Sequence, residues 1–444
     1  MRRRDFLGRA AALAAAAPFA AGPFGAGPWS GLAAAQAAPL RANGARVNGW
    51  LAQMDSIGRT PGGINRVAYS EADLAGRAFT MELYRQAGLE PRIDAVGNIV
   101  ARLQGREPSL PPIVIGSHVD SVTDGGNFDG PLGSFGAIEV ALSLQEQNVR
   151  LRHPLEVVVW SNEEGGVIGS KLAVGELAAV DLDSVARSGK TIREGIGIVG
   201  GDVARLESEV RAKGSAACYM EIHIEQGGFL DEAGIQIGVV EGIVGLRWIQ
   251  VVVEGYANHA GATPMDQRQD AVLAAAKFTV AVNDAIRGEP GRQVATVGSL
   301  VPTPNTRNVI AGRVDLSVDL RDLDAAKIQR FADRFRRIGA EIGEATDTRF
   351  TFRDVTSSKP AISDPAIVDA IEASAGALGL SSRRMPSGAG HDAQMMALIC
   401  PMGMIFAPSV GGVSHSPKEF TKPEDVANSV DVLLNAVAAA DARV

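Results

Sequence analysis

The chain has 444 residues, 46% apolar and 21% charged, the balance of a soluble globular protein of more than one domain. A net charge of −8 argues against nucleic acid and anionic membranes as partners. Two cysteines, Cys218 and Cys400, are too few for a disulfide framework, and both lie in apolar runs as buried free thiols would.

Residues 1–37 read as a targeting segment. Met1-Arg-Arg-Arg-Asp-Phe-Leu-Gly8 is a basic start with an Arg pair, followed by a mild apolar run broken at Pro18 and by small residues at 32–38. This is the pattern of a twin-arginine export signal cleaved near residues 35–38, and it predicts a periplasmic or exported protein. The apolar run falls short of the ~20 residues a membrane span needs, so no stable membrane anchor is expected.

After it, helical spacing covers 46–58 and 70–88, and residues 92–103 alternate like an edge hairpin. Ile113–Gly116 reads as a core strand, Pro131–Gln147 as a helix, and Leu155–Trp160 as a second core strand. The 165–215 stretch reads as helices and loops. Its Gly195-Ile-Gly-Ile-Val-Gly200 has the G-x-G-x-x-G form, but no strand precedes it, so it predicts no dinucleotide site. Ala217–Ile224 is a strand. From Gly245 the texture changes: a strand to Glu254, a loop over 258–264, a helix over 266–287, strands over 294–301 and 312–320, and a helix over 324–346. The earlier strand–helix pattern resumes near Ser363 with a helix (364–380), a strand (400–406) and a last helix (423–440). Strands alternating with helices predict an α/β domain with a mixed, largely parallel sheet, in two parts over 38–244 and 357–444. An inserted α+β block of βαββαβ type would occupy 245–356.

Five of the six histidines lie in Gly/Asp/Ser/Asn-rich loops or at a strand end: His118, His223, His259, His391 and His415. Of these, His118, His223 and His415 with Asp120, Asp129, Glu163 and Glu164 form a set suited to zinc or a similar divalent ion. Asp129, in the tight loop Asn127-Phe-Asp-Gly130, could face two ions with one carboxylate. Asp120, two residues past His118, is placed to accept its second ring N–H. The adjacent carboxylates Glu163 and Glu164 repel unless a cation lies between them. One could bind metal while the other moves protons, or both could line a solvated acidic loop. No G-x-S-x-G occurs and neither cysteine has a nucleophile's setting, which argues against a serine or cysteine hydrolase.

From about Asn48 onward the chain resembles the amidase/hydantoinase/carbamoylase family of dinuclear metal amidohydrolases, relatives of the zinc aminoacylases and carboxypeptidases. The resemblance is carried by Gly62-Gly-Ile-Asn-Arg-Val-Ala-Tyr69, Gly116-Ser-His-Val-Asp-Ser121, Gly125-Gly-Asn-Phe-Asp-Gly130, Asn162-Glu-Glu-Gly165 and His223-Ile-Glu-Gln-Gly227. Asn258-His-Ala-Gly-Ala-Thr-Pro-Met265, Pro304-Asn-Thr-Arg-Asn-Val-Ile310, Ser387-Gly-Ala-Gly-His-Asp392 and Ser414-His-Ser-Pro417 extend it.

The resemblance implies a zinc-peptidase-like catalytic domain with the insertion as a lid and dimerisation domain. It implies two divalent ions (Zn, Mn or Co), one on His118 and His223, the other on Glu164 and His415, with Asp129 bridging. Glu163 would be the general base, then the acid toward the leaving nitrogen. His259 would stabilise the tetrahedral intermediate, reaching it from the partner subunit of a homodimer. Gln226, Asn305, Arg321, Gly388, Gly390 and His391 would bind a small anionic substrate, an N-carbamoyl-L-amino acid or allantoate-like ureido compound. Arg321 suits a carboxylate because guanidinium binds it bidentately, though it could instead pair with Asp319, Asp322 or Asp324. Asn305 could equally be a turn residue. An exported aminoacylase or dipeptidase on the same fold, and a catalytically silent metal-binding protein, are the alternatives. His223 argues against the first, and the retention of Glu163 and every ligand argues against the second.

Overall fold

A computed structural model describes residues 38–443. The 1–37 stretch read above as an export signal therefore lies outside the described residues. The central element is a nine-stranded sheet. Its order runs Ala361–Ile362, Ile237–Ile243, Met402–Ala407, Cys218–Ile224, Ile113–His118, Leu155–Trp160, Ile99–Leu103, Arg92–Ile93, with Ser382–Ser387 also paired to Ile237–Ile243.

Four neighbouring strands form its middle: Met402–Ala407, Cys218–Ile224, Ile113–His118 and Leu155–Trp160. They run parallel, with registers Met402↔Tyr219, Ile113↔Cys218 and Ile113↔Leu155. Every residue of the four is buried, because helices and loops cover both faces and separate apolar clusters fill each side. The flanking pairings are antiparallel for Ile99–Leu103 against Leu155–Trp160, Arg92–Ile93 against Ile99–Leu103, and Ile237–Ile243 against Met402–Ala407, while Ser382–Ser387 runs parallel to Ile237–Ile243. The sheet is thus mixed and only partly parallel, less so than the alternation of strands and helices predicts. Two flanking strands lack an obvious apolar run. Ile237–Ile243 carries Gly238 and Gly242, and Ser382–Ser387 is Ser-Arg-Arg-Met-Pro-Ser.

Pro131–Glu146 starts with Pro at its first turn and is buried almost all round, as a central helix must be. Gly44–Met54, Pro365–Ala377 and Pro423–Asp441 share its apolar cluster. The Gly195–Gly200 motif falls on Ile192–Ile198, a short helix begun by a Thr191/Glu194 capping box.

The inserted block has its own four-stranded antiparallel sheet, ordered Val294–Thr303, Arg313–Asp322, Gly245–Glu254, Arg349–Ser358. Helices Ala271–Arg287 and Ala325–Thr346 close a separate core around Phe278, Phe331 and Phe335. The first helix begins later than its sequence pattern suggests. Asp270 caps it by accepting the N–H groups of Val272 and Leu273 at 3.0 and 3.1 Å, and Met265–Gln267 is a separate 3-10 turn. Among the described residues no helix is long and apolar enough to cross a membrane.

Candidate metal centre

The site is assembled at the carboxyl ends of the parallel strands, where open α/β sheets place their ligands. His118 ends one strand, Asn162-Glu-Glu164 follows the next, His223 lies near the end of the third, and His415 lies on the loop after the fourth. Asp129 comes from the loop entering Pro131–Glu146. That loop closes on Gly130, whose φ is 84° and where a Cβ would stand 2.4 Å from the His118 ring, so only glycine fits.

Asp129 divides its two oxygens. Oδ1 lies 3.1 Å from His223 Nε2 and 3.5 Å from His118 Nε2, while Oδ2 lies 3.3 Å from His415 Nε2. Glu164 Oε1 is 3.5 Å from the same His415 nitrogen. Two donor groups share Asp129, His118–Asp129–His223 and Asp129–Glu164–His415, and a third, Glu221–His223–His391, shares His223; in each the ligand atoms lie within 4.8 Å of one another. The two that share Asp129 bring together His118 with His223, and Glu164 with His415, which the resemblance names as ligands.

The donors fit cations. His118 Nδ1–H donates to the Asp120 carbonyl at 3.0 Å and His223 Nδ1–H to the Ile224 carbonyl at 2.9 Å. That tautomer leaves each Nε2 lone pair facing a carboxylate, an arrangement that needs a cation or a proton between the atoms. His118 Nε2 and Glu164 Oε1 are buried with no hydrogen-bond partner in the protein. In the ion-free chain, protons take the cations' place. Burial opposes a charge on His118, but Glu163 and Asp129 outweigh it and push its pKa well up. Burial also opposes charge on Asp129, yet His223 and His118 hold its carboxyl well below the usual range. Burial, then Asp129, pushes Glu164 up to about 7. Glu163 is driven well above its ordinary value, first by burial and then by Asp392 and Glu164.

Glu163 stands on the His118 side, its Oε2 3.7 Å from His118 Nε2, while Glu164 turns to His415. Asp120 sets this splay in a way its spacing from His118 did not suggest. Its carboxylate lies 3.6 Å from His118 Nδ1, farther than its own carbonyl, and instead accepts the backbone N–H of Glu163 at 3.2 Å and of Glu164 at 3.1 Å. The turn two residues past His118 brings the carbonyl, not the side chain, to the ring.

The residues expected at the substrate fall into two groups. Near the donors, Gln226 (φ 57°) donates Nε2–H to Asp129 Oδ2 at 2.7 Å. His391 is buried with its ring centroid 4.3 Å from that of His223. Ser387 Oγ lies 2.8 Å from its Nε2, and burial and His223 keep it neutral. Gly388 and Gly390 lie on the loop before His391. On the inserted block, Arg321 does not offer the free fork expected of it. Nε and Nη2 pair with Asp319 at 3.0 and 2.8 Å, and Nη1 donates to the Gly388 carbonyl at 2.6 Å. Asn305 is exposed on the loop after Val294–Thr303. His259 is also exposed, its strand pairing Val309–Ile310. Its Nδ1 accepts the N–H groups of Gly261 and Ala262, both at 3.1 Å, so its Nε2 carries the proton.

Sequence reasoning passed over several buried polar residues. Glu221, two residues before His223 on the same strand face, accepts from Ser117, Tyr219 and the Ala393 amide at 2.8, 3.1 and 3.2 Å. The period-two spacing from His223 was the available signal. Arg66, fully buried, donates to the carbonyls of Val119, Ile57 and Met54 at 2.6, 2.9 and 3.3 Å, tying the His118 loop to the N-terminal helix. Glu419 binds the Asp129 loop through its main chain.

Residues 114–439 match the family model of peptidase family M20/M25/M40. The chain is 37% identical over 393 residues to an N-carbamoyl-L-amino acid amidohydrolase of Geobacillus stearothermophilus, covering 87% of this chain and 96% of that one. It is 34% identical over 395 residues to an allantoate amidohydrolase of Escherichia coli K12, covering 86% and 94%. A crystal structure of an amidase of the hydantoinase/carbamoylase family from Burkholderia multivorans superposes with a TM-score of 0.82 at 36% identity, covering 90% of this chain and 98% of that one. With its donor sets at the strand ends and these relatives along most of its length, the chain belongs to peptidase family M20/M25/M40, among the hydantoinase/carbamoylase amidases.

Proposed function

We propose that this chain hydrolyses the ureido bond of a small carboxylate-bearing compound, an N-carbamoyl-L-amino acid or an allantoate-like substrate. The chain is a hydrolase of carbon–nitrogen bonds other than peptide bonds, and its N-carbamoyl-L-amino acid and allantoate amidohydrolase relatives act on ureido compounds by their names. The observation that carries the reading is Asp129, with one oxygen toward His118 and His223, the other toward His415, and Glu163 beside His118.

His118, His223, Asp129, Glu164 and His415 would hold two divalent ions, of Zn, Mn or Co. Such ions polarise a carbonyl and lower the pKa of water. Glu163 takes a proton from the attacking water at its carboxylate and returns it to the leaving nitrogen. Its burial beside His118 keeps that proton off bulk solvent. The carbamoyl fragment takes up the water oxygen and breaks down to ammonia and carbon dioxide, leaving the amine on the substrate. His259, with Nε2–H exposed and Nδ1 anchored, supplies a donor for the oxyanion from the partner subunit of a homodimer. Arg321, held against Asp319, presents its remaining N–H groups to the substrate carboxylate. Residues 1–37 direct export.

The test is ammonia release by purified protein loaded with Mn²⁺, Zn²⁺ or Co²⁺, assayed on N-carbamoyl-L-amino acids, allantoate, ureidoglycolate and N-acyl amino acids. Ammonia from a ureido substrate is the expected result. Acyl cleavage with no ureido turnover would replace this reading with the aminoacylase alternative. Mixed dimers of inactive His259→Ala and Glu163→Gln chains are expected to regain activity; none after demonstrated subunit exchange removes His259 from the partner's site.

A further inference from the structure

We propose that Glu419 is a positioning residue that clamps the Asp129 loop to the His415 loop and thereby sets the affinity of the site between Glu164 and His415. This rests on the dinuclear reading of the donor groups. Glu419 is buried and lies 290 residues from Asp129 in sequence. Its Oε1 accepts the backbone N–H of Phe128 at 2.8 Å and of Asp129 at 3.1 Å. Its Oε2 lies 3.0 Å from Ser414 Oγ, which is also 3.0 Å from Asp129 Oδ2. One carboxylate therefore fixes the main chain of the shared ligand and, through Ser414, the residue before His415.

Two features show that the space is built for it. A Cβ on Gly126 would stand 2.3 Å from the Glu419 side chain, so the glycine admits the carboxylate against the loop. The rings of Phe128 and Phe420, one from each loop, meet edge to face at 5.7 Å and so join the two loops. The Ser414 hydroxyl has one proton for two carboxylates. A cation on Asp129 would lower that residue's claim on it and turn the hydroxyl to Glu419, so the clamp tightens as the site fills.

Metal-stripped wild type, Glu419→Ala, Glu419→Gln and Ser414→Ala are titrated with Zn²⁺ by calorimetry, and bound zinc is counted by elemental analysis. Wild type is expected to bind two ions per chain. In Glu419→Ala one of them should weaken by about 10- to 100-fold, the usual effect of removing a hydrogen-bond partner behind a metal ligand. Glu419→Gln keeps an oxygen for the two N–H groups and should restore both ions; Ser414→Ala should weaken the same ion less. Wild-type affinity for both ions in Glu419→Ala, or equal loss in Glu419→Gln, overturns the clamp and leaves the dinuclear reading intact. A wild type holding fewer than two ions overturns that reading instead. Should Glu419→Ala not fold, Ser414→Ala decides, and wild-type affinity there overturns the clamp.

Discussion

At Asp129 each oxygen faces a different group of donors, so the residue cannot be removed from one without removing it from the other. Asp129→Ala is expected to abolish binding of both ions, read as zinc per chain after dialysis against a metal buffer. Retention of one ion would show that the carboxylate is not shared. Glu163 behaves differently because it lies beside His118 without belonging to either donor group. Glu163→Gln keeps the volume and loses the exchangeable proton. It should retain both ions and lose turnover by about 10²- to 10⁴-fold, the usual contribution of a general acid–base. Near wild-type kcat in this variant would remove Glu163 from proton transfer. The contrast between these neighbouring side chains separates holding from proton handling.

At the scale of elements, the site is a meeting of loops at strand ends, and Asp120 joins two of them. Its carboxylate accepts both amides of the Glu163–Glu164 pair, which fixes where those side chains start. Asp120→Ala leaves two partly buried N–H groups unpaired, at up to about 1–3 kcal/mol each, which the turn relieves by moving. A loss of kcat of at least about tenfold is expected, together with weaker zinc binding, while far-UV circular dichroism stays unchanged; unaltered kcat and affinity would show that the turn holds its shape alone. Much of this architecture was legible in the sequence. His118, Glu163, Glu164 and His223 lie at or just past the ends of apolar runs that can only be buried strands, and a parallel sheet gathers the loops leaving such strands at one edge. The Ser382–Ser387 strand was not legible, because it is polar and pairs, parallel to Ile237–Ile243, at an edge where burial does not constrain its composition. Glu419 and the true role of Asp120 were hidden for another reason. Their partners are backbone amides, which every residue but proline has, so no spacing in the sequence marks them. Arg321 shows the converse limit: the strand sets it two residues from Asp319 on one face, and the local pair takes one edge of the fork, leaving only the N–H groups of the other side for a substrate.

For the whole molecule, the donors span residues 118 to 415 and so join the chain segments on both sides of the inserted block. Without ions this junction is a cluster of buried titratable groups, and its protonation couples to folding. Glu164 has an ordinary value of 4.5 and holds its proton up to about pH 7 in the folded chain. Its stabilisation is complete below about pH 4.5 and is lost as pH climbs toward 7, because the unfolded chain ionises first. His118 is also raised when folded, so its contribution is lost in the same direction, above its ordinary 6.5. Asp129 is lowered and works oppositely, losing its contribution only in acid, below 3.8. Across pH 5 to 8 the ion-free protein should therefore melt at falling temperature. Bound ions need the deprotonated donors, so their affinity should rise over the same interval and release protons to the buffer. Each ion at 100 times its Kd adds about 2.7 kcal/mol to the folded state. The melting curves with and without zinc should diverge as pH rises from 5 to 8, and calorimetry in buffers of different ionisation enthalpy should detect the released protons. Parallel curves would mean that the donors are already deprotonated in the ion-free fold, and that the junction is held by something other than shared protons.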